Sequence, residues 1–353
     1  MKPQAFLTLQ FTIISFLISA LVCTLYGQPL EYSAKFIDQP ILIDGRLDEP
    51  AWKDQVSSSL FVDIEGDAKP LPRFDTRVKI LWDEDYLYIG ATLEEPKVQA
   101  SFLEKNSYIF HDDNNFEVFV DPNGDHCNYY ELELNAFNTI WELSLPVPYR
   151  NSGKPNDPDN MPGLKTAVAV YGTINDDSDI DSVWTVELAF LFEDFEKYDA
   201  VNTPPRPGDY WRINFSRVEW RYNFTENKYV KVPGLREDNW VWSPQGEINM
   251  HAPEHWGILH FQINDQDAST PSATEWQVRK VLMSTYQRLH DHYGNHNSYP
   301  MNLPLDMVSD APFELLYQKQ NEGYTLGTHI DLEGQEYLFQ VNQSSCLTKS
   351  KKQ

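Results

Sequence analysis

Residues 106–143, NSYIFHDDNNFEVFVDPNGDHCNYYELELNAFNTIWEL, decide the fold. In the middle of this stretch Phe116, Val118 and Val120 alternate with Glu117, Phe119 and Asp121. Because side chains of a strand point to opposite faces in turn, this spacing predicts a half-buried strand with acids on one face. The run Asp121-Pro122-Asn123-Gly124-Asp125 supplies the residues of a tight reversal. The chain then returns with Tyr130, Leu132, Leu134 and Ala136 on one face and Glu131, Glu133 and Asn135 on the other. The prediction is a β-hairpin with carboxylates gathered along one side, suited to a polyhydroxyl ligand or a hard cation.

The same alternation recurs on either side. Val78, Ile80 and Trp82, the turn Asp83-Glu84-Asp85, then Leu87, Ile89 and Ala91 read as a second hairpin, and residues 165–171, 182–190, 210–219 and 257–261 read as further strands. Asp48-Glu49-Pro50 opens a short helical turn with Trp52 as its core anchor. Residues 149–165, rich in Pro, Gly, Asp and Asn, form a long surface loop placed to rim a binding site. Short strands with frequent turns and little helix predict a mainly β fold, an antiparallel β-sandwich of jelly-roll type.

After residue 264 the pattern changes. A Ser/Thr cap ahead of Glu275 starts one amphipathic helix carrying Val278, Val281, Leu282 and Leu289, and three strands follow after Pro304. Residues 265–353 are therefore expected to form a C-terminal helix and a small β appendage packed on a sandwich of residues 28–264, since so few residues struggle to bury a core alone.

The chain of 353 residues carries 53 acidic and 28 basic residues, a net charge of −25. Such a surface repels nucleic acid and anionic membranes, and neither is expected as a partner. Residues 6–25 are almost uninterrupted apolar after Lys2 and precede Gly27, the pattern of a secretory signal over residues 1–27, with export to the periplasm or beyond and no membrane insertion once it is cut. An uncleaved membrane anchor is the other reading of about 20 apolar residues. Cys23 lacks the small residues expected before a lipidated cysteine, which leaves Cys127 and Cys346. These two are expected to form neither a disulfide scaffold nor a zinc site.

Six motifs together resemble carbohydrate-binding module family 9. They are IDGRLDEPAW at 43–52, VKILWDEDYLYIGA at 78–91, EVFVDPNGD at 117–125, WTVELAF at 184–190, WRINFSRVE at 211–219 and HAPEHWGILHF at 251–261. The resemblance covers about residues 34 to 262 and implies a sandwich related to the DOMON domains, in an exported, non-catalytic protein that grips the end of an oligosaccharide or polysaccharide chain. Family members clamp the sugar between two tryptophans; the matching positions here are His111 and Met250. Glu117 matches the family's glutamate, Glu133 stands where the family has a basic residue, and a further polar contact falls near Ser216. Trp240, Trp242 and Trp256 lie close in sequence to Met250 and offer replacement aromatic faces.

Three functions remain open on these residues. The first is a secreted carbohydrate-binding protein serving catabolism of xylan- or cellulose-type glycans, with Glu117, Glu133, Ser216 and Arg217 as hydrogen-bonding groups and His111, Met250 and Trp256 around them. Its bland counterpart is a structural ion pair between Glu117 and Arg217. The second is a b-type haem held between His111 and Met250, as in some DOMON relatives, for electron transfer or sensing. The third is a glycoside hydrolase using two of Glu117, Glu131 and Glu133. Structural calcium, which some family members carry, would fall to Asp112, Asp113, Asp121 and Asp125, although an acidic solvated turn has the same composition.

Overall fold

The computed structural model describes residues 29–226, 228–264, 271–308 and 311–352. The expected signal segment, residues 1–27, lies outside the described residues. In chain order the strands are β1 (Glu31–Phe36), β2 (Val62–Asp63), β3 (Thr76–Trp82), β4 (Tyr86–Glu94), β5 (Asn115–Asp121), β6 (Tyr129–Asn135), β7 (Ile140–Leu145), β8 (Lys165–Tyr171) and β9 (Val183–Leu191). They continue as β10 (Tyr210–Glu219), β11 (Tyr222–Thr225), β12 (Lys228–Lys231), β13 (Asp238–Val241) and β14 (Gly257–Gln262). Strands β15 (Leu316–Lys319), β16 (Tyr324–Leu332), β17 (Gln335–Asn342) and β18 (Leu347–Lys351) complete the set, with helices α1 (Pro50–Asp54) and α2 (Ala273–His296).

The principal sheet runs β7-β6-β5-β10-β14-β1-β3-β4-β9-β8, with β13 and β2 beside β10. It folds on itself as a sandwich. Phe116, Val118, Val120, Leu132, Leu134, Ile213 and Phe215 from one half meet Val78, Ile80, Leu87, Ile89, Val186 and Leu188 from the other in one core. These are the alternate positions that the sequence pattern assigns to the inner face. The pairing is antiparallel except at β1, which runs parallel to both β14 and β3 and so joins the two layers. The sandwich expected from the sequence is therefore present, built on a mixed rather than purely antiparallel sheet.

The outer face of the β3-β4-β9 layer is closed by the segment leading into α1. Trp52 is fully buried there beside Ile41, Leu81, Tyr88 and Ala189. Its indole N–H donates to Glu187 Oε1 at 2.8 Å, while Glu187 Oε2 accepts from the amides of Asp44 and Gly45. Gly45 has φ +88, and a Cβ there would lie 2.6 Å from the Val168 backbone, so only glycine makes this turn.

Helix α2 begins where the Ser272 hydroxyl accepts from the Glu275 amide, the cap that the sequence announces. Val278, Leu282, Tyr286 and Leu289 pack on Leu326, Phe339 and Val341 of a four-stranded sheet, β15 to β18. The sequence reading places three strands here; β18 is the fourth. It brings Cys346 against the β5–β6 turn, where a disulfide joins it to Cys127 across 219 residues. This corrects the expectation that the two cysteines stay apart: spacing along the chain does not report distance in space. Further ties run from Arg279 Nη1 to the Gly124 carbonyl and from the Leu347 amide to the Asp125 carbonyl. Among the described residues, no helix is long and apolar enough to cross a membrane.

Candidate functional site

The outward face of the β7-β6-β5-β10 layer carries a row of polar side chains set by strand register. Trp141 lies opposite Glu133, Glu133 opposite Glu117, and Glu117 opposite Ser216. Glu131, two residues along from Glu133, adds a third carboxyl to the same face. All three glutamates are at most 5% exposed, and Ser216 is fully buried. Glu117 Oε1, Glu131 Oε2 and Ser216 Oγ have no hydrogen-bond partner among the described residues. Buried polar atoms are ordinarily paired, so three orphans on one face mark a place where a ligand can complete the bonding.

Burial raises the Glu117 carboxyl to about 7, although Ser216 and Asn115 lie near enough to favour its charged form. Burial, reinforced by the neighbouring carboxylates, pushes Glu131 and Glu133 well above the usual range. Near neutral pH Glu131 and Glu133 therefore hold protons, Glu117 is divided between its two forms, and the group can donate as well as accept.

Two loops wall this floor. Residues 101–114 are stapled down by Asp113, whose carboxylate accepts from the Ser101 and Phe102 amides, the Ser101 hydroxyl and Asn135 Nδ2. The loop is thereby held so that the Phe110 amide reaches Glu133 Oε2 at 3.1 Å and the half-exposed Tyr108 ring meets Trp141 edge-on at 4.5 Å. Trp141 is anchored in turn by its N–H to Asp157 at 2.7 Å. On the other side Tyr149, 43% exposed, packs edge-on against His251 at 4.5 Å. That wall is locked by a two-pronged ion pair, Arg150 Nη1 to Glu254 Oε1 at 2.7 Å and Nη2 to Oε2 at 2.8 Å. His251 shares a hydrogen bond of 3.0 Å with the Tyr129 hydroxyl and stands 3.9 Å from Glu131. Burial pushes His251 down to about 3, so it is neutral and adds no positive charge. Burial raises both the Tyr108 and the Tyr149 hydroxyls, with Glu131 and Glu133 adding to the rise.

Of the residues singled out from sequence, Glu117, Glu133 and Ser216 lie in one cross-strand row, while Met250 is buried in an apolar cluster that also holds Trp141, Phe119 and Trp256. His111 is exposed at the rim, its ring 4.3 Å from Tyr108. Arg217 does not join them. Adjacent strand residues face opposite ways, so with Ser216 on the floor Arg217 points inward, bonding Glu95 at 2.9 Å and Glu219 at 3.0 Å. It does not pair with Glu117 either. Trp256 is fully buried against Phe119 and Tyr129, on the same sheet face as the glutamates, its N–H held by the Met250 carbonyl, and Trp240 and Trp242 belong to the sandwich core. None of the three offers a face to a ligand.

The four calcium candidates do not come together. Asp113 is the loop staple, Asp121 accepts from the Gly124 and His126 amides, Asp125 accepts from the Cys127 amide, and Asp112 pairs with Lys231. Among the described residues no group of three His, Cys, Asp or Glu is arranged to hold a metal ion. Haem fits poorly as well. His111 is exposed, Met250 is buried in the apolar cluster with Phe119, Trp141 and Trp256, and the carboxyl floor suits neither an apolar macrocycle nor its acidic side chains.

Sequence reasoning missed Tyr108, Trp141, Tyr149 and His251. The available signals were the aromatic residues Tyr108 and Phe110 just before His111, and Tyr149 at the start of the loop expected to rim the site.

A row of buried polar groups with half-exposed aromatic rings at its sides is the candidate site on this sandwich. Residues 43–173 match the family model described as carbohydrate family 9 binding domain-like. The chain is similar to endo-1,4-beta-xylanase C of Paenibacillus barcinonensis, 33% identical over 89 residues, which is 25% of this chain and 7% of the xylanase. It is also similar to exoglucanase XynX of Acetivibrio thermocellus, 26% identical over 146 residues, 41% of this chain and 12% of that enzyme. It thus spans only a small part of the length of either relative. A carbohydrate-binding module family 9 from Caldicellulosiruptor kristjanssonii, solved with cellotriose, is 14% identical with a TM-score of 0.42, covering 69% of this chain and 97% of the module.

Proposed function

We propose that this chain is an exported, non-catalytic protein that holds the end of a xylan- or cellulose-type glycan on the Glu117–Glu131–Glu133 floor, between the Tyr108–Trp141 and Tyr149–His251 walls. The observation that carries this reading is the set of orphaned polar atoms, Glu117 Oε1, Glu131 Oε2 and Ser216 Oγ, lying beneath half-exposed aromatic rings. A sugar ring presents hydroxyls along its edge and C–H groups on its faces, and so matches both parts. The family 9 match over residues 43–173 supports the same ligand class.

Binding rather than hydrolysis is favoured by the uniformity of the carboxyls. A glycosidase pair needs environments that separate a proton donor from an ionised partner, whereas here burial raises all three. The binding function resides in residues 28–264, and the described part of residues 265–353 braces the β5–β6 turn through Arg279, Cys346 and Leu347. The Cys127–Cys346 disulfide supports export, because such bonds persist in oxidising compartments.

The test is a glycan array on the purified protein beside Glu117→Ala and Tyr108→Ala variants, with an absorption spectrum of the same samples. Binding to oligosaccharides that both substitutions weaken supports the reading. A Soret band lost on His111→Ala overturns it.

A further inference from the structure

Between α2 and the sandwich lies a cavity of about 180 Å³ that the glycan reading does not use. Leu30, Pro244, Trp276 and Met283 give it apolar walls, and Arg212 and His126 supply polar ones. Arg212 shares a face of β10 with Ser216, four residues further along, and so lies about 13 Å from the carboxyl row.

Arg212 is only 2% exposed, yet among the described residues no carboxylate stands within ion-pair distance of it. Its Nη1 donates to the carbonyls of Pro253 and Glu254, each at 3.3 Å, and of Trp256 at 3.0 Å. The edge formed by Nε and Nη2 has no acceptor among the described residues. The nearby carboxylates are engaged elsewhere. Asp121 accepts from the Gly124 and His126 amides, both Glu254 oxygens are held by Arg150, and Glu275 is shared by Arg279 and Lys349. Burial, reinforced by Arg279, pulls the Arg212 guanidinium down to about 10, which leaves it charged at neutral pH. His126 is fully buried, and neither ring nitrogen has a hydrogen-bond partner among the described residues. Buried charges are ordinarily paired and buried polar atoms bonded. Water satisfies an imidazole but brings no charge to set against Arg212.

We propose that this cavity binds a small organic carboxylate with a flat apolar body, its carboxylate on the Nε–Nη2 edge of Arg212 and the His126 ring, its body against Trp276. A carboxylate meets such an edge with two parallel charge-assisted bonds. Burial holds His126 well below its ordinary value, so the ring is neutral and gives one N–H. The Trp276 ring centroid is 5.3 Å from the guanidinium carbon of Arg212, which sets an aromatic surface beside the anion. Cavities of about 150 Å³ admit a benzene ring, so a ligand of benzoate size fits. The site stands apart from the glycan floor and does not depend on that reading.

The experiment is titration calorimetry on the full chain at pH 7 with benzoate, its neutral isostere benzamide, and inorganic phosphate, repeated on Arg212→Lys and Trp276→Ala. Benzoate is expected to bind at least about tenfold tighter than benzamide, and each substitution to weaken benzoate about tenfold. Thermal melts report whether the variants fold. If Arg212→Lys does not, Trp276→Ala decides, because its ring is only partly buried. Benzamide binding as tightly as benzoate overturns the inference, as does a benzoate affinity that either folded variant leaves unchanged. Phosphate binding as tightly as benzoate overturns the apolar body. No heat from benzoate shows a packing void, and the inference falls while the glycan reading stands.

Discussion

Glu117 and Glu133 face each other across β5 and β6, both buried, and neither has a cation within ion-pair distance among the described residues. Such a pair is held in place by the fold, and the fold bears the electrostatic strain. It makes stability depend on pH in a definite direction. The folded state raises Glu117 from its ordinary 4.5 to about 7, so between those values the folded chain binds more protons than the unfolded one. The stabilising contribution is complete below 4.5 and is lost as pH rises through about 7. A shift of this size corresponds to about 3 kcal/mol. Denaturant midpoints measured from pH 4.5 to 8 should fall more steeply with rising pH in the wild type than in Glu117→Gln. Parallel curves would show that this carboxyl titrates as an exposed one does.

The aromatic walls should govern affinity without governing stability. Tyr108 and Tyr149 are about half exposed, so removing either ring costs the fold little. Tyr108→Ala and Tyr149→Ala are each expected to weaken oligosaccharide binding by roughly tenfold, the scale of one good aromatic contact, with unchanged melting temperature. His111→Ala, at the rim, is expected to cost less. If it costs more than Tyr108→Ala, the wall has been assigned to the wrong ring.

The contrast between His111 and Tyr108 shows what the sequence carries and what it withholds. The β5–β6 hairpin was legible because the pleat forces a period of two, and Phe116, Val118 and Val120 can only share a face. The same rule makes Ser216 and Arg217 mutually exclusive at one site, since they are neighbours on β10; parity alone could have removed Arg217 once Ser216 was kept. The walls are different in kind. Tyr108 reaches the floor because Asp113 ties its loop to Ser101, Phe102 and Asn135, a tertiary contact with no local period. The disulfide partners, 219 residues apart, are likewise joined by how two sheets dock.

That disulfide should contribute substantially to stability. Closing a loop of 219 residues lowers the entropy of the unfolded chain by about 5 kcal/mol in the loop-closure model, an upper figure because strain and residual structure reduce it. Reduction, or Cys127→Ser with Cys346→Ser, is expected to lower the urea midpoint and to make the C-terminal helix and sheet open before the sandwich. The remaining ties there are non-covalent, among them Arg279 to Gly124 and Tyr210, Glu275 to Tyr210, Leu347 to Asp125, and Tyr286 and Ser345 to Asn151. Hydrogen exchange under reducing conditions, read separately for α2 and for β5, checks the order of opening. Equal protection in both would show that docking holds without the crosslink.

Arg217 supplies the complementary test, because the sequence made it a ligand contact and the structure makes it a buried brace. Its guanidinium bonds Glu95, Glu219 and the Thr76 hydroxyl and lies over the rings of Phe74 and Trp240. Truncating it leaves Glu95 buried without its cation and Glu219 with the more distant Arg73 at 4.0 Å, a loss of about 3–5 kcal/mol. Arg217→Ala is therefore expected to lower the urea midpoint sharply, while whatever protein remains folded binds oligosaccharide with wild-type affinity. Arg217→Lys should recover part of the stability, since an ammonium keeps the charge but not the planar fork. A stable Arg217→Ala protein with weakened binding would instead return this residue to the ligand, and would require β10 to pair with β5 one residue out of the register seen between Ser216 and Glu117.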